Sequence, residues 1–278
     1  MKLTYICTNY NNSAFTVAAV ASLTKNYGHD ISIYVVDNAS CPEEVEILYR
    51  LAREEPRVNV IASAENLGYF AGLNLGLKAA CINNMELGWV VAGNNDLEFP
   101  ADFCDRLELQ RDEYARYSVI SPDVVTLDGQ HQNPHVISHI STIREIFYDL
   151  YYSNYYLGLL IYKLAKIFPR ITRRGDEDHW RTARLIAQGH GSCYLLTPKF
   201  FSHFNELISP TFMMSEEFFL ALQLKSVGEK VFYSPQISVT HHWHGSLQNV
   251  PSKRRWLMSR DAHREYRKHV NPFKQKSL

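Results

Sequence analysis

Trp89-Val90-Val91-Ala92-Gly93-Asn94-Asn95-Asp96 is the stretch on which the fold turns. Four apolar or small residues read as a buried strand, and Gly93 with the two asparagines reads as its polar end. The turn leaves one carboxylate, Asp96, at the carboxyl end of the strand. In an open α/β sheet that edge is where ligands bind. A carboxylate there can hold a hard divalent cation against phosphate oxygens. It can equally cap the backbone of an Asx turn, and these eight residues alone leave both readings open.

The preceding residues supply the rest of such a sheet. Leu3 to Cys7 reads as a first strand, followed by the polar loop Thr8-Asn9-Tyr10-Asn11-Asn12 and a helix from Ser13 to about Thr24. Ile31 to Val36 is dense in β-branched residues and ends at Asp37. Ser40 is a plausible N-cap, with Pro42, Glu43 and Glu44 suited to the first turn of a helix that ends near Glu54. Val58 to Ala62 is a third strand, and Asn66 to Gly72 leads into a helix ending near Ala80. Alternating strands and helices on short connections predict an α/β fold with a doubly wound, mostly parallel sheet. Its ligand edge gathers Thr8 to Asn11, Asp37, Asn66 and Asp96, which suits a nucleotide. No GxGxxG opens the first helix and no Gly-Lys-Ser/Thr loop exists, which disfavours dinucleotide and P-loop folds.

The second half is less regular. Pro100 to Tyr114 reads as a helix, and Val119 to Leu127 as a strand broken at Ser121-Pro122-Asp123. Ser192 to Leu196 reads as a strand and Pro198 to Phe204 as a short helix. Ser215-Glu216-Glu217 opens a helix closed by Gly228. Val231 to Tyr233 and Ile237 to Thr240 are two short strands, the second delivering His241-His242-Trp243-His244. Between them, Leu150 to Tyr162 is apolar and aromatic, and too short to span a bilayer. A core helix or a lid over the acceptor is the simplest reading. Docking on a bilayer, helped by Lys163, Lys166, Arg170, Arg173 and Arg174, is the alternative.

Composition narrows the classes. The chain has 278 residues, 46% of them hydrophobic, and a net charge of +0, so no global basic field points to nucleic acid. Its 5 cysteines form no CxxC pair, which argues against a zinc ribbon or a disulfide framework and suits a reducing compartment. The first strand begins without a basic-then-apolar leader. A cytoplasmic protein is expected, with peripheral contact to the cytosolic face of a membrane as an option.

Several stretches together resemble the family-two glycosyltransferases of the GT-A fold. They are Val35-Val36-Asp37-Asn38-Ala39-Ser40, Asn66-Leu67-Gly68-Tyr69-Phe70-Ala71-Gly72-Leu73-Asn74, Asn94-Asn95-Asp96, Gly191-Ser192-Cys193, Glu216-Glu217, and His241 followed by Gly245-Ser246. The subset they look most like contains bacterial polysaccharide enzymes, rhamnosyltransferases among them. The resemblance implies an inverting transfer of one sugar from a UDP- or dTDP-linked donor. The acceptor would be a hydroxyl of a glycan or polyprenyl-diphosphate-linked oligosaccharide, as in O-antigen or capsule synthesis. Residues 1–115 would bind the donor, residues 116–250 would bind the acceptor and carry catalysis, and 251–278 would form a basic tail.

Roles follow from the same resemblance. Asp37 would accept the imide N–H of uracil or thymine, where the plain reading is an Asx turn. Thr8, Asn9 and Asn11 would line the nucleotide pocket, with Gly72, Asn94 and Asn95 on the same donor side. Asn66 would contact the nucleotide or cap the Gly68 turn. Asp96 would bind Mg²⁺ or Mn²⁺, with His241 as a further ligand. Glu217 would be the general base that takes the acceptor hydroxyl's proton, with Glu216 as the alternative; helix-start acids favoured by the dipole are the plain reading of both. His190, Gly191 and Ser192 would line the acceptor side. His242 and His244 share a face in an extended segment, but no fitting cysteine or acid cluster lies near them for a zinc site. Three positions depart from the family pattern: Asn94 replaces its first acid, and Phe219 and Gln223 stand where many relatives carry an acid and an arginine. A nucleotidyltransferase would want a Gly-rich basic loop after the first strand, which Thr8 to Asn12 lacks. A binding module that has kept the fold without turnover is the other alternative.

Overall fold

The central strand is covered on both faces. β1 (Lys2–Asn9) pairs in parallel with β2 (Asp30–Asp37) on one side and with β4 (Trp89–Asn94) on the other. β3 (Val58–Ala62) extends the parallel set from β2. Successive side chains point to opposite faces of a strand. Tyr5 and Cys7 therefore join a core with Ala19, Leu23 and Leu48, while Ile6 joins a second core with Leu73 and Leu77. The first core lies under α1 (Ser13–Leu23) and α2 (Pro42–Glu54), the second under α3 (Tyr69–Asn83). This computed structural model describes residues 1–83, 87–167, 175–242 and 252–273.

Beyond β4 the sheet is mixed. β8 (Cys193–Leu196) pairs antiparallel with β4, then β6 (Val119–Thr126) with β8, β9 (Val231–His241) in parallel with β6, and β5 (Leu97–Glu98) antiparallel with β9. β7 (Arg184–Ile186) also pairs with β9. The strand order β3-β2-β1-β4-β8-β6-β9-β5 thus joins a parallel half to a mixed half. α8 (Pro198–His203) follows β8, and α9 (Glu216–Lys225) packs Leu220 and Leu224 into the second core.

The structure corrects four expectations. The Pro100–Tyr114 helix divides at Gln110 into α4 (Phe103–Leu109) and α5 (Arg111–Tyr114), and both Leu107 and Tyr114 are fully buried. β6 is not broken at Ser121-Pro122-Asp123. The irregularity lies in its partner, where Pro122 faces Ser234 but Asp123 faces Ser238, so β9 bulges between them. For the same reason the two short strands expected from Val231 to Thr240 are one. The aromatic segment expected as a core helix or an acceptor lid is a pair of helices, α6 (Thr142–Ser153) and α7 (Tyr155–Ile167), whose exposed Leu150, Tyr156, Leu160 and Tyr162 overturn the core reading. Asn154 separates them and caps α7 by accepting from Tyr156 N at 2.9 Å. Arg170, Arg173 and Arg174 lie outside the described residues.

The basic carboxyl-terminal segment contains an amphipathic helix, α10 (Ser252–Arg267). It buries Trp256, His263 and Tyr266 and leaves Lys253, Arg254 and Arg264 exposed. Trp256 Nε1 donates to Tyr151 O at 3.2 Å, and Arg267 pairs with Glu145 at 2.7 Å and with Asp149 at 2.6 Å. Among the described residues no helix is long and apolar enough to cross a membrane. All five cysteines are free.

The turn into α3 is the tightest backbone contact of the first half. Gly68 has φ +84°, and a Cβ there would lie 1.9 Å from Phe212 O. Tyr69 N donates to that same carbonyl at 3.0 Å, so the two loops are locked together. Gly68→Ala is expected to destabilise the fold by about 3 kcal/mol. Gly28, at φ +80° with open space around it, is the control: Gly28→Ala should cost about 1 kcal/mol. Denaturant unfolding of both variants checks the difference.

Candidate functional site

The site begins where β4 stops. Asn95 and Asp96 turn the chain, and β5 then crosses to the far edge and sets Leu97 opposite His241, the last residue of β9. That pairing brings Asp96 Oδ1 to 3.3 Å from His241 Nε2. His241 Nδ1 faces Gln132 Oε1 at 2.7 Å and its Nε2 faces Asn94 Nδ2 at 3.2 Å. An amide oxygen only accepts and an amide nitrogen only donates. The network therefore assigns the proton to Nδ1 and turns the Nε2 electron pair toward Asn94 and Asp96. A second partner that fixes the tautomer in this way is what a metal-ligating histidine needs.

Asn95 bolts this turn to the loop after β1. Its Nδ2 donates to Thr16 Oγ1 at 2.7 Å, to Asn12 Oδ1 at 2.9 Å and to Asn9 Oδ1 at 3.2 Å. Asn9 is itself buried and donates to Asp37 Oδ1 at 3.0 Å and Ser40 Oγ at 3.1 Å. Asp37 Oδ2 accepts from Ser40 N at 3.0 Å, the Asx-type geometry. Asn11, at φ +51°, accepts from Cys41 N at 2.8 Å. Asn9 and Asp37 thus form a buried, bonded floor beneath the cleft, while Asn11 stays exposed and holds Cys41; none of the three lines the open cleft. A carboxylate offers about four acceptor sites, so Asp37, which accepts two bonds here, keeps capacity for further donors.

The cleft above that floor is lined by Thr8, Asn66, Asn94, Asn95 and Asp96, and by four residues that sequence reasoning did not single out: Tyr10, Asn12, Tyr69 and Met213. Asn66 lines the cleft, and its Oδ1 accepts from Gly68 N at 3.0 Å, which is the expected turn cap. Gly72 does not line the cleft. A Cβ there would lie 2.6 Å from Thr8 Cγ2, so its part is to let α3 approach β1.

The other wall comes from β8 and α9. Asn94 N donates to Ser192 O at 2.8 Å, which carries Gly191 and Ser192 to the end of β4. Gly191 N donates to Glu217 Oε1 at 3.1 Å, and a Cβ on Gly191 would meet that oxygen at 2.6 Å. Tyr69 OH donates to Gly191 O at 2.8 Å. His190 contacts Ser192 Oγ through Nδ1 at 2.9 Å, and its backbone N donates to Asn133 Oδ1 at 2.7 Å. Its ring lies between those of His135 and His241, with centroids 5.8 and 5.7 Å away. Burial, reinforced by His135 and His241, pushes His190 down to about 3, so it is a neutral imidazole at physiological pH.

The two glutamates at the start of α9 separate cleanly. Met214 and Ser215 both take left-handed backbone, at φ +77° and +64°. That turn drives Glu216 inward, where its Oε1 accepts from Met214 N at 2.9 Å. Burial first, and then the neighbouring Glu217, push Glu216 up to about 8. A carboxyl protonated at neutral pH is no base. Glu217 stays partly exposed beside Gly191.

Asp96 and His241 fit a divalent cation. Ligands bonded at about 2.1 Å to one octahedral ion lie roughly 3 Å from each other, close to the 3.3 Å seen here. One carboxylate oxygen with one imidazole suits Mn²⁺ more readily than Mg²⁺. Among the described residues no group of three or more His, Cys, Asp or Glu side chains could hold a metal, so ligands from outside the protein, such as water, would complete the shell. Asn94, in place of an acid, orients His241 instead. His242 pairs with Glu98 at 3.1 Å, while His244, Gly245 and Ser246 lie outside the described residues. Phe219 is buried against Phe218 and His269. Gln223 accepts from Ile208 N at 3.0 Å and donates to Glu206 O at 2.7 Å. Both departures from the family pattern are therefore occupied with packing and loop clamping.

The family model described as Glycosyl transferase family 2 matches residues 4–162, more than half of the chain. No curated protein matches the chain at a significant level. Solved structures do. S. aureus TarS 1-349 in complex with UDP-GlcNAc has a TM-score of 0.57 at 13% identity, covering 90% of this chain and 62% of that one. Mannosyltransferase PcManGT from Pyrobaculum calidifontis, in complex with GDP-Man and Mn2+, has a TM-score of 0.56 at 14% identity, covering 98% and 67%. GalNAc-T7 with UDP, GalNAc and Mn2+ has a TM-score of 0.56 at 12% identity, covering 87% and 44%. The chain thus spans less than two thirds of the TarS fragment and under half of GalNAc-T7. At these identities the likeness is one of fold, the GT-A architecture. With the family match over the whole parallel half of the sheet, it makes this chain a member of glycosyl transferase family 2.

Proposed function

We propose that the protein is an inverting glycosyltransferase that moves one sugar from a nucleoside-diphosphate donor to an acceptor hydroxyl. The observation that carries this reading is the convergence at the end of β4: Asp96 and His241 on one side, and Gly191 with Glu217 on the other, joined through the Asn94–Ser192 bond. The donor would lie in the cleft lined by Thr8, Asn66 and Asn94, its base toward Asp37. A divalent ion on Asp96 and His241 would neutralise charge on the departing nucleoside diphosphate. Glu217 accepts the proton of the acceptor hydroxyl as that oxygen attacks the anomeric carbon. The bond from that carbon to the diphosphate oxygen breaks, and its electron pair leaves with the diphosphate. His190, neutral and fixed by Asn133 and Ser192, offers the acceptor a polar contact without adding charge beside Glu217.

The motif resemblance favours a UDP- or dTDP-linked hexose or rhamnose as donor. It favours as acceptor a glycan or polyprenyl-diphosphate-linked oligosaccharide of bacterial surface polysaccharide synthesis. The solved neighbours carry UDP, UDP-GlcNAc and GDP-Man, so GDP belongs in any donor panel.

The direct test is thermal stability against UDP, dTDP and GDP, with and without Mn²⁺. A ligand at about 100 times its dissociation constant adds roughly 2.7 kcal/mol, so a shift of several degrees is expected for the right nucleotide. Asp96→Ala should abolish the Mn²⁺-dependent part of that shift. No shift with any nucleotide, in a folded sample, would overturn the donor site.

Glu217→Gln should lower turnover by about 10²- to 10⁴-fold while donor affinity stays within about twofold. Unchanged turnover would place the base elsewhere.

Glu216 gives a pH signature. Its carboxyl is raised from 4.5 to about 8 on folding, so its contribution to stability is complete below the unfolded value and is lost as pH rises through about 8. The wild-type melting midpoint should therefore fall relative to Glu216→Gln between about pH 5 and pH 8. Parallel curves for the two proteins would show that Glu216 carries no proton at neutral pH.

A further inference from the structure

α6 is built inside out. Its outward stripe is Ile143, Ile146, Phe147 and Leu150, at the i, i+3, i+4, i+7 spacing of one helical face, and all four are exposed. Its side toward α10 carries both of the helix's acids, one buried and one half-exposed. Glu145 is 0% exposed, pairs with Arg267 at 2.7 Å and accepts from Tyr266 OH. Asp149 pairs with His263 at 2.8 Å and with Arg267. A soluble helix normally turns these two sides the other way. α7 continues the pattern. It seats Gly158 on Trp256 of α10 and turns Tyr156, Leu160, Leu164 and Ile167 outward, with Tyr156 at 74% and Ile167 at 66% exposure. Exposed apolar side chains repeated at helical spacing along two packed helices mark an interaction surface.

The charges on α7 and on the first turn of α10 have one sign. α7 contains Lys163 and Lys166 and no acid, and Lys166 lies over the ring of Tyr162 at 4.7 Å. At the other end, the first turn of α10 brings Lys253 Nζ to 5.8 Å from the ring of Tyr155, with Arg254 exposed beside it. The acids of α6 are turned toward α10 and paired. The chain as a whole is neutral, so this cationic rim is local. A second copy on the same face would bring rim against rim in either orientation. An anionic lipid surface complements both features: acyl chains take the apolar stripe, and lysine and arginine stems reach the headgroups.

We propose that the outward face of α6 and α7, rimmed by Lys163, Lys166, Lys253 and Arg254, docks in the interface of an anionic bilayer. α7 has 13 residues, too few to span, so the helices lie in the plane of the surface. The pair is inserted between β6 and β7, and the bridge from Val136 to Gln188 roots it beside His190, at the proposed acceptor side. The docking is argued from this surface alone and does not rest on the sugar-transfer reading.

The experiment is co-sedimentation of the full chain with vesicles of phosphatidylcholine, pure or with about one third phosphatidylglycerol, at about 0.15 M salt. Binding to the anionic vesicles should exceed binding to the neutral ones at least tenfold. Leu160→Glu with Leu164→Glu changes only exposed positions. It should abolish most of the binding while the thermal midpoint stays put, and Ile143→Glu on α6 should weaken binding independently. Lys163→Glu with Lys166→Glu should reduce binding to anionic vesicles by well over tenfold, since each cation near such a surface contributes about fivefold. Failure to sediment with anionic vesicles, or equal sedimentation of the Leu160/Leu164 variant, would overturn the proposal. So would a wild-type dimer in analytical ultracentrifugation that the Leu160/Leu164 variant disperses, which would give the face to a second copy. Nucleotide-induced thermal shifts are read separately, so either proposal can fail without the other.

Discussion

The site depends on one strand pairing. β5 is two residues long, yet its antiparallel register on the end of β9 is what places His241 beside Asp96. Registers in a sheet are set in steps of one residue, and a single step turns every side chain to the opposite face. A slip at β5 would send His241 away from Asp96 and unseat the bond from His242 N to Asp96 O at 3.0 Å. Two other registers converge on the same point. β8 on β4 carries Ser192 to Asn94, and β6 beside β9 delivers Gln132 to His241 Nδ1. The bulge in β9 opposite Pro122 and Asp123 lies upstream of this convergence, so the last residues of β9 keep their phase with Val124 to Thr126.

Electrostatics then divides the labour among groups of the same chemical kind. Glu216 and Glu217 are adjacent, but the left-handed turn at Met214 and Ser215 sends one into the core and leaves the other at Gly191. The buried one is the proton-holding partner, as expected when two carboxyls share a site of uneven exposure. His190 and His241 are neighbours as well. His190 is kept neutral by burial, whereas His241 is set apart by orientation, with Gln132 holding its Nδ1 proton away from Asp96. Asparagine at position 94 belongs to the same division. It leaves the carboxylate work to Asp96 and spends its amide on His241 and its backbone on Ser192.

How far this was legible in the sequence depended on the range of the interaction. The parallel half follows from local signals: apolar runs for β1, β2 and β4, Pro42 and the acids at α2, and Gly68 at the turn into α3; the cap expected at Ser40 is not formed, since α2 starts after Cys41 with no side-chain cap bond. Asp96, His241, Gly191 and Glu217 were legible as family positions, and the structure brings them together. Asn9 and Asp37 were legible as polar loop residues, but their burial was not, because it arises from bonds among three separate loops. Gln132 and Asn133 had no signal, since each acts through a partner more than fifty residues away in the sheet. Tyr69 lay within a recognised segment, yet its hydroxyl reaches Gly191 only once β8 has paired with β4.

The helical insertion shows why hydrophobicity alone misleads. Apolar and aromatic content in Leu150 to Tyr162 argues for a core, and the outward stripe of α6 would be its buried side in most proteins. What reverses the choice is Glu145, whose charge cannot be buried without partners. Arg267 and Tyr266 of α10 supply them, and once that side of α6 is committed to α10, the apolar side has nowhere to go but outward. The fold therefore spends a buried ion cluster to present an apolar, cation-rimmed face, and it does so on the insertion that returns through Gln188 to the acceptor side of the site.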